Sequence, residues 1–100
     1  MKELSSAQRQ YLKGLAHHLK PVVQIGKNGL TDQVMVMIES ALNAHELIKL
    51  KFIDFQDRKK EFSEEIVQRS SSERVGMVGN TLVIFRQHTD PEKRKISLPS

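Results

Sequence analysis

The sequence predicts an α/β domain in the order α-β-α-β-α-β-β, a four-stranded mixed sheet packed with helices. Three observations lead there. Apolar residues recur at helical spacing across residues 5–19, 31–45 and 57–68. Short apolar runs separate those segments at 22–25 and 47–52. A Gly79-Asn80 pair then joins two more runs, 74–78 and 81–86, as a hairpin. Alternation followed by a hairpin favours one mixed sheet with helices on it. The helix between the first two strands makes their connection long enough for a right-handed parallel crossover. The chain of 100 residues is a single domain, 1–100, with 87–100 a polar C-terminal tail.

The first helix is capped by Ser5 or Ser6 and runs to about Leu19. Leu4, Tyr11, Leu12, Leu15 and Leu19 gather on one face, and Arg9, Lys13, His17 and Lys20 on the other. Pro21 ends it and opens a strand, Val22 to Ile25, that is apolar enough to be wholly buried. Thr31 caps the second helix, whose core face is Val34, Met35, Ile38, Ala41 and Leu42 and which stops between Asn43 and His45. Leu47 to Phe52 is a strand with one buried and one wet face, Lys49 and Lys51 pointing the same way. A third helix opens near Asp57 and reaches Gln68, burying Phe62, Ile66 and Val67. Ser70-Ser71-Ser72 is a polar loop before the hairpin. From Gln87 the chain is a loosely held tail, in which Ile96 and Leu98 could form a short edge strand.

Composition excludes several functions. No cysteine means no disulfide and no thiolate metal site, which fits a reducing compartment, and the expected location is the cytoplasm. No stretch is apolar enough to cross a membrane, and Met1 to Ser6 does not resemble a signal peptide. No serine sits in a Gly-x-Ser-x-Gly elbow, and His45-Glu46 lacks the second histidine of a zinc-protease motif. The four histidines have ordinary structural uses. The chain is expected to be no enzyme and to need no cofactor, metal or small-molecule substrate.

The net charge of +4 and pI near 9.6 suit an anionic partner. The distribution is more informative than the total. From Leu4 through Thr31 there is no acidic residue, while Arg9, Lys13, Lys20 and Lys27 all fall there. Within that third, Gly26-Lys27-Asn28-Gly29 links a strand to the start of a helix. Glycines at both ends let backbone approach another molecule. The following helix start, at Thr31, turns free N–H groups toward the same place. The spacing fits neither a Walker A loop nor a dinucleotide fingerprint, so a nucleotide is not supported. What remains is a plain turn or a grip on a nucleic-acid backbone, the mode GxxG loops serve in KH domains. Tyr11, Phe52, Phe62 and Phe85 fall in core-like patterns and only Phe55 is unplaced, so no stacking platform for bases is expected.

Several separated blocks resemble one known family. They are Leu12-Lys13-Gly14-Leu15-Ala16-His17, Lys20-Pro21-Val22-Val23, Ile25 to Thr31, Ala41-Leu42, His45 to Lys49, Val78 to Arg86 and Lys95 to Pro99. In that order they resemble the CRM domain (chloroplast RNA splicing and ribosome maturation), and more closely the stand-alone bacterial YhbY family. Phe85 stands where that family often has tyrosine. The resemblance implies a fold similar to the C-terminal domain of translation initiation factor three. It also implies RNA binding through Gly26, Lys27, Asn28 and Gly29 and a nearby basic surface, in association with precursors of the large ribosomal subunit.

The expected function is therefore binding of structured ribosomal RNA by a monomer. The site would comprise Gly26, Lys27, Asn28, Gly29 and Thr31, widened by Arg9, Lys13 and Lys20 of the basic helix face. The alternative is a protein–protein interaction module associated with the ribosome without direct RNA contact.

Overall fold

The strands of a computed structural model, which describes residues 3–100, form one sheet in the order β1-β2-β4-β3. The elements are α1 (Ser6–Ala16), β1 (Val23–Ile25), α2 (Asp32–His45), β2 (Leu47–Phe52), α3 (Lys59–Ser70), β3 (Glu73–Val78) and β4 (Thr81–Phe85). β1 runs parallel to β2, and the other pairs are antiparallel. The predicted α/β class, element order and mixed four-stranded sheet are those observed. Met1 and Lys2 lie outside the described residues.

Strand alternation divides the core into two layers. On one face Val23, Ile25, Ile48, Leu50, Phe52, Leu82 and Ile84 pack against Met35, Ile38 and Leu42 of α2 and Phe62 and Ile66 of α3. On the other, Leu47, Val75, Val83 and Phe85 pack against Leu12 and Ala16 of α1 and against Leu4. The helices therefore sandwich the sheet, with α1 alone on its side. Arg86, just past β4, braces the larger layer by donating to Glu39 at 2.9 Å, to the Ser70 carbonyl at 2.7 Å and to Asn43 at 3.0 Å.

The first helix stops at Ala16, short of the expected Leu19. Pro21 disfavours helical backbone at Lys20, and the chain needs the intervening residues to descend to β1. Ser5 supplies the cap, in a reciprocal box with Gln8. A single helix over part of a sheet buries a narrow stripe. Leu12 and Ala16 fill it, whereas Tyr11, Leu15 and Leu19, expected in the core, are exposed. Val22, expected in the first strand, precedes it and is exposed.

Three further boundaries differ. β2 is not wet along one whole face, because Leu47 lies under α1 and only Lys49 and Lys51 emerge beyond it. α3 continues through Ser70, whose hydroxyl donates to the Ile66 carbonyl at 2.6 Å, and Ser71 ends it with φ of 52°. A 3-10 turn, Gln56–Arg58, precedes it. The tail is not loosely held, and Ile96 and Leu98 form no strand. They pack against the α1 layer instead. Buried Glu46 accepts from the backbone N–H groups of His88 (2.6 Å), Lys95 (2.6 Å) and Ile96 (3.0 Å).

Candidate nucleic-acid interface

β1 delivers the chain into the glycine loop at the end of the sheet where β2 and the β3–β4 hairpin also turn. The N–H groups of Ile53 and Asp54 both donate to the Ile25 carbonyl, at 2.9 and 3.1 Å. The Phe52 N–H donates to Asn80 at 2.8 Å, tying the hairpin tip to the same end. The loop itself closes as a tight turn, with the Gly29 N–H donating to the Gly26 carbonyl at 3.0 Å.

The two glycines do different work. Gly29 has φ of 69° and is buried, and a Cβ there would lie 3.6 Å from the Phe55 ring and 3.8 Å from Phe62. Its glycine is a demand of the fold. Gly26 has no left-handed φ, and a Cβ there would meet nothing within 4 Å. Between them Lys27 and Asn28 are exposed at the tip. Phe55, unplaced by the sequence, sits half-buried under the loop with its ring 5.2 Å from that of Phe62. The Arg58 guanidinium lies 4.9 Å from the Phe62 ring centre and donates to Glu61, which holds that exposed carboxyl below its usual range.

Thr31 is chiefly a cap, its hydroxyl oxygen accepting from the Val34 N–H at 3.1 Å. α2 thus begins beside the loop, and Gln33, Val34 and Met37 border an open dimple of about 450 Å³ with Gly26 to Gly29. Asp32, in the first turn of α2, adds a carboxylate at the helix start, 3.4 Å from Arg69. That carboxylate opposes the pull of the helix dipole on a phosphate. Lys27, exposed at the tip, supplies positive charge at the loop.

The loop residues stay together, and so do Arg9 and Lys13, one turn apart on α1 and both against β3, whereas Lys20 lies apart from them. Arg9 donates to the Arg74 carbonyl on β3 at 3.2 Å. Lys13 lies across Gly76 of β3 and shares a groove with Lys49. Lys20 borders a different groove with Lys95 and His45. Lys49 and Lys51 were not counted among the site residues, yet register puts both on the α1 side of the sheet, where Lys13 lies. Their alternation in the β2 sequence was the signal that could have found them. The carboxylates of Asp32, Glu39, Glu61, Glu64 and Glu65 are on α2 and α3, in the opposite layer, while α1 has none.

Known proteins share this architecture. The family model for the CRS1 / YhbY (CRM) domain matches residues 4–86. A Haemophilus influenzae protein named "RNA-binding protein" is 46% identical over 100 residues, covering 99% of this chain and 98% of its own. A Bacillus subtilis protein named as a probable RNA-binding protein is 36% identical over 97 residues, covering 96% of this chain and 99% of its own. The solution structure of a hypothetical Staphylococcus aureus protein superimposes with a TM-score of 0.79 at 34% identity, over 96% of this chain and 99% of that one. By the span of the family match and by these relatives, the chain belongs to the CRS1 / YhbY (CRM) domain family.

Proposed function

We propose that the protein binds structured ribosomal RNA without catalysing a reaction on it, gripping the backbone at Gly26 to Gly29, and that it acts in assembly of the large ribosomal subunit. Relatives along its whole length carry RNA-binding names, which supports RNA as the partner. The observation that carries the loop's role is Gly26. Neither backbone angle nor packing requires glycine there, so its missing side chain serves an approaching molecule. Lys27 beside it supplies charge, and Lys13, Arg9 and Lys20 add it along the neighbouring surfaces. The ribosomal assignment rests on the resemblance to the YhbY family.

Two measurements test this. Filter binding with fragments of large-subunit RNA should show that Gly26→Asp and Lys27→Ala weaken binding by about tenfold or more, since each removes or opposes a charged contact. In sucrose gradients at low salt the protein should travel with large-subunit precursors. Sedimentation only at the top would overturn the ribosomal assignment while leaving RNA binding open.

A second reading, docking to a ribosomal protein, is favoured by one observation. An apolar groove of about 470 Å³ opens between exposed Leu15, Leu19 and Val22 and the tail residue Ile96. Association that survives nuclease treatment would select it.

A further inference from the structure

α1 covers only part of its face of the sheet. It shields Leu47, Val75, Val83 and Phe85, and beyond them the face is open. Gly76 has no side chain to fill the space, and Val78 on the same strand is 76% exposed. The result is a groove of about 410 Å³ between the end of α1 and the sheet. Its volume falls in the range of sites that hold small ligands. Its lining combines the apolar residues Pro21, Val78 and Val83 with His17, Lys13 and Lys49. No carboxylate lines it. Lys51, two residues along β2 from Lys49, extends the positive charge on the same face.

Lys13 is held there by a missing atom. A Cβ on Gly76 would come within 3.0 Å of Lys13 Cε. Gly76 has no left-handed φ, so the backbone does not ask for glycine. Glycine lets the lysine stem lie flat on the sheet and carry its charge to the groove. Lys49 Nζ donates to the Leu19 carbonyl at 3.0 Å, which anchors the second ammonium. Two lysines bordering an apolar floor match the chemistry of a nucleotide, whose anionic backbone flanks a flat base.

Resting on the RNA-binding reading above, we infer that this groove takes one unpaired nucleotide of the bound RNA, its base against the apolar floor and its phosphates between Lys13 and Lys49. A paired nucleotide keeps its base in the stack and cannot enter. The glycine loop grips backbone in either form, whereas the groove selects RNA with an extruded base.

The test uses two RNA hairpins that differ only by a single bulged uridine, with affinity measured by fluorescence anisotropy. The wild-type protein should bind the bulged hairpin about tenfold more tightly, the gain expected from removing roughly 50–60 Å² of apolar surface from water. Gly76→Val fills the floor and displaces Lys13, and should abolish this preference, any affinity lost with the Lys13 charge falling on both hairpins alike. Val78→Glu changes an exposed residue, so it should fold normally, and it should abolish the preference too. It decides the matter should Gly76→Val lower the melting temperature. Gly26→Ala should weaken both hairpins alike. Equal wild-type affinity for the two hairpins overturns the groove, as does a folded Val78→Glu protein that still prefers the bulge. Unchanged binding by Gly26→Ala, with the preference intact, overturns the loop's role and leaves the groove standing.

Discussion

At the scale of single residues, the glycine loop separates fold from function in two positions. Gly29 sits at positive φ over the rings of Phe55 and Phe62. A side chain in that conformation costs roughly 1–2 kcal/mol. Gly29→Ala should therefore lower the melting temperature by about 4–8 °C, the shift that roughly 1 kcal/mol produces in a domain of this size. Gly26→Ala has no such cost, because its Cβ would enter open space. It should melt with the wild type and bind RNA more weakly. Thermal melting followed by circular dichroism, with RNA titration of the same samples, checks both. A Gly26→Ala protein that melts early would show that this glycine serves the fold. The sequence presents the two glycines as equals, since backbone angle and the rings beneath one of them depend on residues more than 25 positions away.

At the scale of elements, the unexpected feature is the link between the end of α2 and the tail. Glu46 follows the helix with φ of 65° and ψ of −44°, a positive φ that glycine adopts most readily. Its carboxylate explains why glycine does not replace it. Buried and ionisable, it is satisfied by three backbone donors from residues 88, 95 and 96. The donors lie 42 to 50 residues along the chain, so no local pattern announces them. The tail's polarity was legible and its anchoring was not. Each hydrogen bond to a charged group contributes about 1.5–3 kcal/mol. Glu46→Ala should therefore destabilise the domain by about 3 kcal/mol or more and free the tail. Hydrogen exchange would show this as rapid exchange at the amides of His88, Lys95 and Ile96, with β2 and β4 still protected. Unchanged protection at those three amides would count against the anchoring role.

At the scale of the whole molecule, element order was legible because hydrophobic period and turn residues are local signals. Leu47 to Phe52 was found with its observed ends, and the Gly79-Asn80 turn in its observed place. Which layer a helix joins is a long-range outcome of strand order β1-β2-β4-β3, and the sequence holds no local sign of it. That is why Lys49 and Lys51 join Lys13 from a different element. The same layering sorts charge. The face that carries α1 presents Lys13, Lys49 and Lys51 with one strand carboxylate, Glu73, whereas α2 and α3 set five carboxylates among their cations. RNA drawn by this field should approach the α1 face and the glycine loop. If Lys13, Lys27, Lys49 and Lys51 each neutralise one phosphate, the logarithm of affinity should fall with the logarithm of salt concentration at a slope of about 3 to 4. Lys51→Ala should lower that slope by about 1, and Lys60→Ala, an exposed position on α3, should leave it unchanged. Both substitutions remove one charge from the same total, so net charge alone predicts equal effects. Only the position of the lysine on one layer or the other makes them differ, and equal slopes for the two variants would refute an RNA surface on the α1 side.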